Sequence, residues 1–173
     1  MDNGSTLRVQ LLIGSVSIYH RYLLYVLYDV IFWVASNFFI GFVLSSIENR
    51  RFSRFAPSSS AERLAARAAL IKRFTRVDRW KRYLPEAGSF FKGGISKSSL
   101  EQTSKSHLAV MMNEFQRARV VHILLILVWP ITLAFNPLWI TIAMAPYVIL
   151  ANVPCLISLT YSYYRFAALL KRR

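Results

Sequence analysis

Two long apolar blocks separated by a basic stretch dominate the pattern of this chain. Residues 22–46, YLLYVLYDVIFWVASNFFIGFVLSS, contain one charge, Asp29, and one amide, Asn37. A bilayer core needs about 20 predominantly apolar residues of helix, so this segment predicts a membrane span with length to spare for tilt. The piece before it, LLIGSVSIY (11–19), is too short to cross and is cut off by His20 and Arg21. It reads as an interfacial or extended lead-in. The second block, 120–161, contains no Lys, Arg, Asp or Glu. Asn136-Pro137 interrupts it, because proline disfavours helix in the preceding residue and has no N–H of its own. Two passes of about 16 and 24 residues result, joined by a tight turn near Phe135–Leu138. Pro130, Pro146 and Pro154 fall inside them. Such prolines are tolerated in a membrane where the freed carbonyls find partners, so these helices are expected to pack against neighbours. The first pass is short, and snorkelling of Arg117 and Arg119 to the interface would lengthen it.

The polar stretch between the blocks has a helical pattern of its own. Ser60 is placed to cap a helix over AERLAARAALIKRFTRVDRWKRYL, which runs to Pro85. Leu64, Ile71, Phe74, Val77 and Leu84 recur at helical spacing among eight cations, the signature of a basic amphipathic helix. Trp80 suits the headgroup layer. A second helix is expected over roughly 99–119, running on into the apolar block.

Composition sharpens this picture. The 173 residues are 55% hydrophobic and 17% charged, against about 25% charged in an average soluble domain. Mean hydropathy is +0.37, which argues against a soluble domain and against a disordered chain. The net charge of +14 is concentrated, with 16 of the 22 Lys and Arg in 48–119 and more at Arg165, Lys171, Arg172 and Arg173. Only Arg8 and Arg21 precede the first span. The positive-inside rule then predicts a multi-pass protein of the cell membrane with its N-terminus outside and both 48–119 and the tail in the cytoplasm. The cations flank spans, so membrane electrostatics accounts for them more economically than nucleic acid does. The N-terminus lacks a basic region followed by a small-residue cleavage site, so the first apolar stretch is expected to stay in the protein. The expected fold is an all-α membrane protein of about three transmembrane helices plus a cytoplasmic basic amphipathic helix. Its segments are 1–47 with the first span, 48–119 as the basic helical part, and 120–173 as the hairpin and tail.

Few residues can carry chemistry. Cys155 is the one cysteine and the histidines His20, His107 and His122 stand apart, so neither a disulfide nor a Cys/His metal cluster is expected. The loop FFKGGISKSSL (90–100) offers Gly93, Gly94, Ser96 and Lys97, which could cradle a phosphate, although the P-loop spacing is absent and a plain flexible turn explains it better. Glu114 and Arg117, at i and i+3, can pair on one helix face. His122 lies just inside the apolar block, where an ionisable residue suggests function. A neutral imidazole is the usual general base for activating a hydroxyl, and the alternative is a histidine hydrogen-bonded to a neighbouring helix. Glu114 lies about 12 Å from it along a straight helix, too far for a simple dyad. Asn136 is expected to satisfy the turn backbone and Asn152 to fill the gap left by Pro154. Asp29 is expected to pair with His122 or a cation. No nucleophile elbow and no paired carboxylates are present, so hydrolase chemistry finds no support.

WKRYLPEAG (80–88), FKGGISKSSL (91–100), E-x-x-R-A-x-x-x-H from Glu114 to His122, Phe135-Asn136, and Ala151-Asn152-Val153-Pro154-Cys155 follow one another in that order. This arrangement resembles the glycosyl-diaponeurosporenoate acyltransferase family, small membrane enzymes that finish staphyloxanthin-type carotenoids, over about residues 75–165 and weakly over the N-terminal span. The resemblance implies transfer of a fatty acyl group to a sugar hydroxyl of a glycosylated isoprenoid or related glycolipid at the inner leaflet. It implies no cofactor, with acyl-CoA or acyl carrier protein as the thioester co-substrate. Its shared positions make His122, Glu114 and Arg117 the catalytic candidates, and Trp80, Lys81, Ser96, Lys97, Asn136, Asn152 and Arg165 the substrate-binding ones. Where the family continues with Q-R-Y-N-R-P-R, this chain has L-T-Y-S-Y-Y-R and keeps only Tyr161 and Arg165 of it. If that stretch grips the donor or sugar, the departure implies a changed substrate or lost activity. The expected partners are membrane lipid, the acyl carrier, and a membrane protein partner or a second copy of the chain, with no nucleic acid. A non-catalytic membrane subunit that docks a lipid- or glycan-modifying enzyme is the alternative reading.

Overall fold

The computed structural model of the protein describes residues 3–52, 58–84 and 105–172, and every regular element among them is helical. In chain order these are α1 (Asn3–Ser45), α2 (Asn49–Phe52), α3 (Ala61–Thr75), α4 (Val77–Trp80) with a 3-10 turn at Lys81–Tyr83, α5 (Lys105–Val128) with a 3-10 turn at Trp129–Ala134, α6 (Leu138–Ala143) and α7 (Ala145–Arg172). Three stretches are long and apolar enough to cross a membrane: Tyr19–Ser45, Leu108–Ala134 and Leu138–Arg172. Their large side chains, among them Leu23, Phe38, Phe39, Phe42, Leu127 and Leu150, point outward. An apolar surface of that extent is stable in contact with lipid rather than water.

α5 and α7 form the central pair, and α3 packs on α7 near the latter's C-terminal end. Leu64 from α3, Met111, Met112 and Phe115 from α5, and Tyr163, Ala167 and Ala168 from α7 close one core there. A second core joins Trp33, Ile40 and Leu44 of α1 to Phe52, Leu125 and Val148. The spans thus pack at two separate places along their length, and most of the Tyr19–Ser45 stretch of α1 faces outward.

The tight turn between the second and third spans lies where Asn136-Pro137 predicts it. Asn136 N–H donates to the Thr132 carbonyl at 2.9 Å, and Trp129 Nε1 donates to the Thr141 carbonyl at 2.9 Å across the turn. Pro130 marks the change from α to 3-10 geometry. Pro146 occupies the first turn of α7, where a missing N–H costs nothing.

Two expectations are corrected. Residues 11–19 are not an extended lead-in but part of α1, which runs unbroken through His20 and Arg21. A charge ends a membrane-compatible stretch without ending a helix, because arginine is a good helix former. The basic helix does not run to Pro85: it stops at Thr75, and Arg76 takes the left-handed conformation at φ 50°. Thr75 Oγ1 donates to the Ile71 carbonyl, and Trp80 Nε1 donates to the Thr75 carbonyl at 2.8 Å. The break turns Val77 fully into the core with Ala68 and Tyr161, while Phe74, expected on the apolar face, is 77% exposed. Ser60 caps α3 as expected, its Oγ accepting from the Arg63 N–H at 3.4 Å.

Candidate active site at the α5–α7 seam

α5 and α7 run antiparallel, and polar residues at i, i+3 spacing on α5 meet α7 along one line. Gln116, Arg119 and His122 form that stripe, since residues three apart share a helix face. His122 Nδ1 lies 2.9 Å from Asn152 Oδ1. Asn152 is 4% exposed and its Nδ2 donates to the Val148 carbonyl at 2.9 Å. That donor bond assigns the amide: the nitrogen faces the carbonyl, so the oxygen faces the imidazole. An oxygen acceptor there requires the proton on His122 Nδ1 and leaves Nε2 with its lone pair. In the neutral ring this sets which nitrogen, Nε2, is the one able to accept a proton.

One turn toward the N-terminus of α5, Arg119 stacks over the Tyr163 ring, 5.4 Å from its centroid, and donates to Gln116 Oε1 at 2.6 Å. Its Nε–H is buried with no hydrogen-bond partner among the described residues. Glu114 and Arg117 pair as their spacing predicts, both side chains largely buried. Eight and five residues from His122, they lie about 80° and 140° round the helix from it at 100° per residue. That rotation and the distance along the helix keep the pair away from the imidazole.

The remaining expected site residues divide among other places. Asn136 does not serve the turn backbone: its Nδ2 donates to Asp29 Oδ1 at 2.7 Å, with both residues buried. Among the described residues Asp29 accordingly pairs neither with His122 nor with a cation. The two asparagines, sixteen residues apart, serve different contacts: Asn136 at the hairpin turn and Asn152 within α7. Asn152 bonds the Val148 carbonyl rather than that of Leu150, the one Pro154 leaves without its helical donor. Trp80 packs beside Tyr161, whose ring carries Lys81 at 5.2 Å and Arg165 at 5.6 Å. Tyr161 and Arg165 sit nine and thirteen residues from Asn152, about 180° and 220° round α7, and face α3. Beside them Lys72 pairs with Asp78 at 3.2 Å. Partial desolvation raises the Asp78 carboxyl, but the hydrogen bond and charge of Lys72 together outweigh it and hold the group below its ordinary range. Ser96 and Lys97 lie outside the described residues.

Sequence reasoning missed Gln116, Arg119 and Tyr163 as a polar group of the same seam. The i, i+3 stripe Gln116–Arg119–His122 was the available signal for the first two. Tyr163 lies in the stretch that departs from the family pattern, and only the packing of α7 against α5 brings it into the seam.

A family model described as glycosyl-4,4'-diaponeurosporenoate acyltransferase matches residues 49–172, from α2 to the end of α7. The chain belongs to that family. The matched region is longer than the 75–165 carried by the motifs, and α1 falls outside it. A curated relative from Staphylococcus haemolyticus, named glycosyl-4,4'-diaponeurosporenoate acyltransferase, is 31% identical over 97 residues, which is 56% of this chain and 56% of that protein. This chain thus spans a little over half the length of that relative. No solved structure matches. Within the acyltransferase family match lie both the His122–Asn152 pair and the Arg119–Tyr163 stack.

Proposed function

We propose that this protein transfers a fatty acyl group from a thioester donor to a sugar hydroxyl of a glycosylated isoprenoid or related glycolipid, with His122 as general base. The observation that carries this reading is the His122–Asn152 pair, which holds the imidazole with Nε2 free to accept a proton. In the reaction Nε2 takes the proton of the sugar hydroxyl as its oxygen attacks the thioester carbonyl. The new O–C bond forms, a tetrahedral oxyanion collapses, the C–S bond breaks, and the imidazolium returns its proton to the leaving thiolate. Arg119, the preceding position of the polar stripe on α5, is the cation proposed to stabilise the oxyanion once its guanidinium swings off the Tyr163 ring. The Glu114–Arg117 pair then acts as a positioning element that fixes α5. Acyl-CoA or acyl carrier protein serves as co-substrate, and the chemistry calls for no cofactor.

The charge distribution supports an orientation with the N-terminus outside and the basic segment and tail in the cytoplasm. That orientation places the α3 end of the bundle, and the acyl carrier, at the inner leaflet.

Lipid mass spectrometry of host membranes carrying the wild-type chain or His122→Ala tests this reading. A glycolipid that gains one acyl chain with wild type and not with the variant is the expected result. Equal acylation by both removes His122 from the mechanism. No new lipid from a well-expressed wild-type chain favours the docking-subunit reading.

A further inference from the structure

Between α3 and α7, on the side of α7 away from Asn152, lies a groove of about 260 Å³. Four alanines line it, so its floor is nearly bare of side-chain bulk, and Lys72, Arg165, Arg172 and Tyr161 supply its polar groups. Among the described residues no carboxylate is in that lining. Asp78 meets Lys72 from outside it. Arg165 and Arg172 are two turns apart on one face of α7, with Lys72 opposite on α3. Stacking of Arg165 on Tyr161 fixes the guanidinium plane while leaving its N–H edge available. Cations converging from two helices on a smooth pocket suit a multiply accepting, negatively charged oxygen group, and phosphate is the group that guanidinium edges match best.

The surroundings indicate where that phosphate comes from. Leu70 and Phe74 on α3 are 57% and 77% exposed, and Leu169 in the groove wall is 43% exposed. Apolar side chains standing outward beside clustered cations are the arrangement of a helix lying in a lipid interface. The groove also opens on the wrong face of α7 to present a bound donor to His122. We propose that this groove binds the phosphate of an anionic phospholipid headgroup and so seats α3 on the membrane surface. The site is independent of the acyl-transfer reading and stands or falls separately from it.

Native mass spectrometry of the full chain in detergent, with phosphatidylglycerol or phosphatidylcholine added, tests the assignment. Phosphatidylglycerol is expected to be retained in preference to phosphatidylcholine. Arg172→Ala should weaken its retention about fivefold, the effect of one interfacial cation. Ala69→Leu, at an exposed position of the groove, should weaken it without altering any charge, and Lys171→Ala, one residue outside the lining, should leave it unchanged. Circular dichroism and elution volume verify that each variant is folded. If Lys171→Ala and Arg172→Ala act alike and Ala69→Leu has no effect, the binding is a diffuse field and the proposal is overturned. Displacement of phosphatidylglycerol by coenzyme A would overturn the lipid as occupant in favour of a soluble phosphate donor.

Discussion

His122 acquires its chemical character from Asn152, thirty residues away in sequence, and from the Val148 carbonyl that orients the Asn152 amide. Removing the imidazole as His122→Ala is expected to lower turnover by about 10²–10⁴-fold, the range for loss of a general base, measured by acyl incorporation into membrane lipid. Asn152→Leu keeps the volume but frees the ring, and misplacement of that kind costs up to about 10²-fold. It should lower kcat with little change in KM, whereas a purely structural role would lower the yield of folded protein instead. A second polar pair behaves differently. Asn136 and Asp29 are buried together with no role in the seam. Asn136→Leu should cost about 1–3 kcal/mol by leaving the Asp29 oxygen unpaired, and adding Asp29→Leu should restore much of that loss. Thermal unfolding in detergent checks both, and a double variant less stable than the single one would contradict the pairing argument.

At the scale of elements, the break at Arg76 decides how the basic segment meets the bundle. A continuous helix would carry Val77 past α7 rather than into the core it shares with Ala68 and Tyr161. The left-handed conformation costs an ordinary residue roughly 1–2 kcal/mol, and glycine avoids most of it. Arg76→Gly should therefore stabilise the protein by up to about 1 kcal/mol, and a clear loss of melting temperature would show that the Arg76 side chain matters more than its backbone. Leu64 is fully buried between α3, α5 and α7, so Leu64→Ala should cost about 2–5 kcal/mol. The Ser60 cap, the pairing of Glu114 with Arg117 and the Asn136-Pro137 turn were legible beforehand, because each depends on residues within a few positions of one another. The break at Arg76 was not: it is set by the Trp80 indole reaching back to Thr75 and by the burial of Val77 against another helix.

Across the whole molecule, three apolar helices and a cationic end suggest a membrane protein with its charge gathered on one side. In a Cys155→Ser background, Ser5→Cys should react with a membrane-impermeant maleimide on intact cells, while Ser59→Cys should react only after the membrane is opened. The reverse labelling pattern would invert the orientation. α1 meets the rest of the bundle through one apolar core, the Asp29–Asn136 bond and the edge contact of Tyr22 with Trp139, and most of its Tyr19–Ser45 stretch faces the surroundings.

By itself the sequence determined the number of spans, the position of the hairpin turn, the basic character of 48–119 and the family pattern. All of these follow from composition, local periodicity and motif order, which need no knowledge of distant contacts. Only the tertiary structure decided which polar residues meet. It separated Asn136 from Asn152, set Arg165 on the face of α7 opposite Asn152, joined His122 to Asn152, and stacked Arg119 on Tyr163 farther along the seam. The physical reason is rotational: a hundred degrees per residue sorts neighbours in sequence onto different faces, and the packing of α7 between α3 and α5 selects which face becomes a seam and which a groove.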